Sequence, residues 1–170
     1  MKFNTKTIHG NQQPEPSTGA VMPPIFQTST YAQSSPGQFK GYEYSRGANP
    51  TRTALENALA SIENGVAGFA FGSGLAAIDA VLKLLNPGDE VIAGDDLYGG
   101  TYRMFTKIYE KYGIKFKFVA GSHKEDFAAH ITDKTKLIWL ETPTNPLLKI
   151  IDIEGVASLA KGKDILVAVD

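Results

Sequence analysis

The sequence predicts an α/β protein built on a mostly parallel sheet. From residue 51 onward, apolar segments of helical period alternate with short strand-like runs. The last run, Ile165-Leu166-Val167-Ala168-Val169-Asp170, is continuously apolar and ends in an acid. It reads as a fully buried parallel strand, which needs cover on both faces. Nothing follows it, so the chain is expected to be the N-terminal part of a larger enzyme.

The elements follow in order. Residues 1–50 are rich in Gly, Pro, Ser, Thr and Gln, and Met22-Pro23-Pro24 and Ser35-Pro36-Gly37 break helices and central strands. The segment still holds Ile25, Phe26, Tyr31, Phe39, Tyr42 and Tyr44, whereas disordered tails are poor in aromatics. It is expected to be an extended arm that packs on something, such as another subunit. Residues 51–170 are then the first portion of the α/β domain. Thr51 is the expected N-cap of a helix over 54–62, where Leu55, Leu59 and Ile62 share a face and Asn64-Gly65 stops it. A strand is expected at 67–71 and a helix at 73–85, ended by Asn86-Pro87-Gly88. Next come a strand at 90–93, a helix at 99–112 stopped by Gly113, and a strand at 115–119. A short helix at 124–131, a buried strand at 136–140, a helix at 153–160 and the strand at 165–169 complete the pattern.

Composition narrows the function. The chain is 42% hydrophobic, enough for a core, and its net charge of -1 gives no sign of a nucleic-acid or membrane partner. The absence of cysteine rules out disulfides and thiolate metal sites. No apolar run approaches the roughly 20 residues of a membrane span. Met1 to Lys6 has no signal-peptide apolar stretch, and a cytoplasmic protein is expected. His9, His123 and His130 have no metal-ligand spacing, so no metal is expected.

Five places carry residues suited to chemistry: three turns, one strand end and one motif in the arm. Gly72-Ser73-Gly74-Leu75 joins a strand candidate to a helix, and the free N–H groups of Gly74 and Leu75 suit an anion such as phosphate. The same string also suits an ordinary Ser-capped helix. Asp95-Asp96-Leu97-Tyr98-Gly99-Gly100 follows a strand and places Tyr98 where a flat ring can stack, with Arg103 one turn further. Glu141-Thr142-Pro143-Thr144-Asn145-Pro146 follows another strand; its two X-Pro bonds, either of which can be cis, stiffen the turn that holds Asn145. Asp170 at a strand end suits a ring nitrogen, a ribose or a metal, or caps a following helix. Tyr44-Ser45-Arg46 in the arm gains meaning only if the arm reaches a phosphate.

Together these motifs resemble the transsulfuration family of fold-type-I pyridoxal-phosphate (PLP) enzymes. It includes cystathionine γ-lyase, γ-synthase and β-lyase and methionine γ-lyase. The resemblance rests on Tyr44-Ser45-Arg46-Gly47-Ala48-Asn49-Pro50-Thr51-Arg52, Gly74-Leu75-Ala76-Ala77, Asp96-Leu97-Tyr98-Gly99-Gly100-Thr101 and the Glu141–Pro146 turn, in that order. It implies PLP as cofactor, a sulfur amino acid or activated homoserine ester as substrate, and a homotetramer, a dimer of dimers with shared active sites. It implies that Gly74 and Leu75 hold the cofactor phosphate and that Tyr44 and Arg46 bind that phosphate in a neighbouring subunit. Tyr98 then stacks on the ring and takes a proton from the incoming amine. Glu141 supports the site, Asn145 lies near the ring hydroxyl and substrate carboxylate, Asp170 pairs with the pyridine nitrogen, and Arg103 is offered to a distal substrate carboxylate. The family's cofactor-bonding lysine belongs to a Ser-x-Thr-Lys segment beyond residue 170, so the segment alone is expected to be inactive. Methionine γ-lyases usually carry a cysteine after Tyr-Gly, where this chain has Gly100, so the resemblance is nearest to the cystathionine γ-lyases and γ-synthases. From another class, a non-catalytic α/β module that binds a phosphate ligand or a partner through its arm is the competing expectation.

Overall fold

The computed structural model describes residues 1–10 and 12–170. It divides into two compact units, Met1–Gly72 and Ser73–Asp170.

In the first unit, the glycine- and proline-rich arm is not wholly extended. Phe3–His9 forms a helix, α1, ended by Gly10 in the left-handed region at φ 48°. At seven residues it is too short to leave a readable apolar period. Lys6 Nζ ties it to Ser61 O at 3.0 Å and Asn64 Oδ1 at 2.7 Å. Gln33–Ser35 (β1) and Gln38–Phe39 (β2) make a small antiparallel hairpin around the Pro36-Gly37 turn.

Helix α2 spans Pro50–Ile62, and its cap is Asn49 rather than Thr51. The Asn49 side chain accepts from the Thr51 N–H at 2.9 Å, and Pro50 sits where a missing N–H costs nothing. The Thr51 hydroxyl is used elsewhere: it donates to Pro24 O at 3.0 Å and accepts from the Phe26 N–H at 2.9 Å.

The strand expected at 67–71 does not form. A strand needs a ladder partner, and this segment joins neither sheet. Among the described residues its one hydrogen bond joins Ala70 N–H to Glu56 Oε1 at 3.0 Å.

The second unit is the α/β body. Its helices are α3 (Gly74–Leu82), α4 (Gly99–Lys107), α5 (Lys124–Ala128) and α6 (Ile153–Ser158). Its strands are β3 (Glu90–Gly94), β4 (Lys115–Val119), β5 (Thr135–Leu140) and β6 (Leu166–Val169). The order across the sheet is β4-β3-β5-β6, and every pair is parallel.

Strand alternation splits the core in two. Val91, Ala93, Leu137 and Trp139 pack with Ile78, Leu82 and Phe105 of α3 and α4. Ile92, Ile138 and Leu140 pack with Phe127 and Val156 of α5 and α6. Central β3 is buried along its whole length, as its uninterrupted apolar run requires.

Two further expectations change. The helix expected over 99–112 ends at Lys107 and resumes as a 3₁₀ turn, Tyr109–Tyr112, before Gly113 at φ 84°. There the buried Tyr109 donates its hydroxyl to Asp79 Oδ1 at 2.6 Å, and burial followed by that carboxylate pushes the phenol up to about 12. The expected fully buried last strand, β6, is an edge strand, with Leu166 and Val169 exposed. Among the described residues its one strand neighbour is β5, which leaves its other flank without a strand. No helix among the described residues is long and apolar enough to cross a membrane.

Candidate active site

The strand order fixes where a site belongs. From β3 the chain moves to β4 on one side, then recrosses to β5 on the other. The direction reverses between β3 and β5, and crevices beyond the carboxyl ends of strands at such reversals bind ligands. The loops that begin at Asp95 and Glu141 both emerge there.

Hydrogen bonds lock these loops together. The Tyr98 N–H donates to Glu141 Oε2 at 2.8 Å. Buried Asp96 accepts the Leu147 N–H at 3.1 Å and the Thr144 hydroxyl through the same Oδ2. Thr144 Oγ1 accepts the Lys149 N–H at 2.8 Å, and Thr142 Oγ1 accepts the Ile151 N–H at 3.1 Å. Lys149 Nζ lies 3.2 Å from Asp95 Oδ1. Both X-Pro bonds of the turn, Thr142-Pro143 and Asn145-Pro146, are cis. Asn145 is exposed, on a turn that these hydrogen bonds brace from both sides. Asp96 and Thr144, to which sequence reasoning gave no role, supply that brace; the only signal was an acid and a threonine within the two motifs.

The Tyr98 ring is 45% exposed and lies against Gly100, so a Cβ at residue 100 would collide with it. Glycine there is a steric requirement of this ring position. The Arg103 guanidinium folds back over Gly99 and is exposed, in no ion pair among the described residues.

At the start of α3, Ser73 is the cap as expected. Its Oγ accepts from the Ala76 N–H and its carbonyl from the Ala77 N–H, both at 3.2 Å. The N–H groups of Gly74 and Leu75 have no protein partner among the described residues, and the space where a Gly74 Cβ would sit is open. Leu75 leans on the cluster that contains Ala93, Leu97 and Trp139, which anchors this end of α3 against the sheet.

The acids lie across the sheet edge. Leu137 and Trp139 face α3 and α4, and by alternation Glu141 continues that face. Trp139 pairs with Ala168, so Asp170 emerges on the same face as Glu141. The Asp170 backbone is pinned on both sides: its N–H donates to Leu140 O at 2.9 Å, and its O accepts from the Thr142 N–H at 3.3 Å. Burial pushes the Glu141 carboxyl above its usual range, and repulsion from Asp170 and Asp96 adds to this. The N–H groups of Tyr98 and Asn145 pull it back only in part.

Tyr44 and Arg46 belong to the first unit. Tyr44 bridges Thr30, and the Ser45 N–H donates to Ser29 O at 2.9 Å. The Arg46 guanidinium sits 4.9 Å from the Tyr44 ring centroid, exposed and in no ion pair among the described residues.

Within the second unit, unpaired N–H donors and an open helix start lie at one place, and carboxylates gather at the strand ends. An exposed aromatic ring stands on the same carboxyl edge. That polarity fits a flat ligand with an anionic tail and a cationic ring, which is the charge pattern of PLP. A parallel sheet carrying these groups at its carboxyl edge defines part of a fold-type-I PLP domain.

Comparison with known proteins agrees. The family described as Cys/Met metabolism PLP-dependent enzyme matches residues 4–170. Cystathionine gamma-lyase of Bacillus subtilis is 52% identical over 170 residues, which is all of this chain and 45% of the relative. Cystathionine beta-lyase of Coxiella burnetii is 49% identical over 169 residues, 99% of this chain and 44% of the relative. The crystal structure of cystathionine gamma-lyase from Lactobacillus plantarum complexed with L-serine superposes with a TM-score of 0.95 at 47% identity, over the whole of this chain and 44% of that one. The chain belongs to the Cys/Met metabolism family of PLP-dependent enzymes. It spans a little under half the length of these relatives.

Proposed function

We propose that the full protein is a transsulfuration enzyme that cleaves or forms the carbon–sulfur bond of cystathionine by γ-chemistry. The observation that carries this reading is the convergence of Tyr98, Glu141, Asn145 and Asp170 on one carboxyl edge, with the unpaired N–H groups of α3 in the same unit. Bound PLP supplies an aldehyde for the substrate amine and a ring that takes up the electron pair left when Cα loses its proton.

The residues divide the remaining work. The N–H groups of Gly74 and Leu75, with the α3 dipole, hold the phosphate. Tyr44 and Arg46 add charged and hydroxyl donors to a phosphate in a neighbouring subunit. Asp170, in no ion pair among the described residues, keeps the ring nitrogen protonated. Tyr98 presents its ring face for stacking and its hydroxyl as acceptor of the proton on the incoming amine. Glu141 holds the Tyr98 backbone, and Asn145 meets the substrate carboxylate from its braced turn. Arg103 is offered to a distal carboxylate. The assembly is a homotetramer, a dimer of dimers with shared sites, acting in the cytoplasm on small amino acids.

Relatives carry both γ-lyase and β-lyase names at similar identity, which favours a second reading, β-cleavage. Products separate the two. γ-Cleavage of cystathionine releases cysteine and 2-oxobutanoate, whereas β-cleavage releases homocysteine and pyruvate. Incubating the full, PLP-loaded protein with cystathionine, or with an O-acyl-homoserine plus cysteine, should give 2-oxobutanoate or cystathionine, respectively. Pyruvate as the main oxo acid would select β-cleavage; no product from either mixture would leave a non-catalytic module.

A further inference from the structure

One arginine of α2 gathers the carbonyls of the turn that carries Arg46. The Arg52 guanidinium donates from Nη1 to Ser45 O at 3.3 Å and Arg46 O at 3.5 Å, and from Nη2 to Gly47 O at 2.5 Å. Three successive carbonyls therefore converge on one side chain. They belong to a tight turn, in which the N–H groups of Gly47 and Ala48 both reach Tyr44 O at 3.0 Å. With these carbonyls turned towards α2, the Arg46 side chain is left exposed against the Tyr44 ring.

The charge of Arg52 is answered locally. Its Nε lies 3.5 Å from Glu56 Oε1, one helical turn on, and both side chains are partly buried. The same Glu56 oxygen accepts the Ala70 N–H at 3.0 Å, which fixes the carboxylate in turn. Arg52 is thus consumed by backbone and by Glu56, whereas Arg46 is in no ion pair among the described residues. An ammonium group could not reproduce this, because a lysine is a point charge without the planar fork that spans neighbouring acceptors.

We infer that Arg52, neutralised by Glu56, is a positioning residue that shapes the Tyr44–Gly47 turn so that Arg46 is offered to an anion. The inference rests on the reading of Arg46 as a phosphate ligand.

The test titrates PLP into the cofactor-free full protein, following absorbance and retention on dialysis, for Arg46→Ala, Arg52→Met and the double variant. The thermal midpoint and the mass of the cofactor-free assembly serve as folding controls. Arg46→Ala should weaken PLP affinity roughly 10–100-fold, the worth of a charged hydrogen bond. Arg52→Met should lose at least about half as much on the logarithmic scale, and Arg52→Lys should not restore it. The double variant should be no weaker than Arg46→Ala alone, because Arg52 acts only through Arg46. A loss in the double variant equal to the product of the single losses would show a general structural effect and overturn the inference. Arg46→Ala with weakened affinity beside a folded Arg52→Met with none would remove the Arg52 role alone. Arg46→Ala with unchanged affinity would remove the phosphate role of Arg46, and this inference with it. Should Arg52→Met not fold, Glu56→Gln keeps the acceptor for Ala70 but leaves Arg52 uncompensated. It should weaken affinity in the same non-additive way, and unchanged affinity would overturn the inference.

Discussion

Tyr98 shows how neighbouring residues set what a side chain can do. Its N–H is held by Glu141 and its ring rests where only glycine at residue 100 leaves room. Tyr98→Phe in the full protein keeps the ring and removes the hydroxyl. PLP affinity should change little while turnover falls about 10²–10⁴-fold, the usual worth of a general acid or base; unchanged turnover would leave stacking as its only role. Gly100→Ala should act on the same ring from the other side. Tyr98 is exposed enough to swing away, so the thermal midpoint should barely move while turnover drops, and a crystal structure should show the ring displaced. A ring unmoved and turnover intact would refute the steric argument. The placement of Tyr98, Asn145 and Asp170, each just past a strand or in a proline-stiffened turn, was legible in the sequence, whereas the roles proposed for them rest on the family resemblance. Asp96 was not legible in the same way. Its partners Thr144 and Leu147 lie 48 and 51 residues away, and no local pattern announces such a pairing.

At the scale of elements, burial decided what could be read. The central strands β3 and β5 announce themselves by apolar runs, and they formed where expected. Residues 67–71 carry a similar run, but a strand exists only with a neighbour, and neighbours are not written locally. The α2 cap moved from Thr51 to Asn49 because the Thr51 hydroxyl was claimed by Pro24 and Phe26, 27 and 25 residues back. One sheet contact makes a pH prediction. Glu90 opens β3 and accepts from Lys117 Nζ of β4 at 2.7 Å and from the Thr132 hydroxyl at 2.6 Å. Lys117 first, then Thr132, hold its carboxyl below the ordinary glutamate value of 4.5. The unfolded chain therefore binds the proton more readily, so this contribution is complete above pH 4.5 and fades as pH falls through the lowered value. Glu90→Gln should cost about 1–2 kcal/mol near neutral pH, as for a partly exposed charged hydrogen bond. The gap in thermal midpoint between parent and variant should close as pH drops below 4.5. A gap constant with pH would show that the carboxylate charge contributes nothing.

At the scale of the whole molecule, the candidate groups divide between two units of the chain. Gly74, Leu75, Tyr98, Glu141, Asn145 and Asp170 lie in the second, whereas Tyr44 and Arg46 lie in the first. Under the proposed shared site, this division would be functional, because one chain's Asp170 would work with another chain's Arg46. Such sharing predicts complementation. If the proposed roles hold, in the full protein Arg46→Ala would weaken the arm's contribution and Asp170→Ala would remove the partner of the ring nitrogen, so each variant should be impaired when PLP is limiting. Mixed and refolded together, the two should form hybrids in which one site receives an intact arm from the Asp170→Ala chain and an intact sheet edge from the Arg46→Ala chain. That site should regain activity; the complementary site, with both defects, should not. At equal mixing, half of randomly paired dimers are hybrids, and each holds one repaired site of two, so about a quarter of all sites should recover. Hybrids confirmed by mass that show no gain over the separate variants would mean that Arg46 serves its own chain, and the sites would be self-contained.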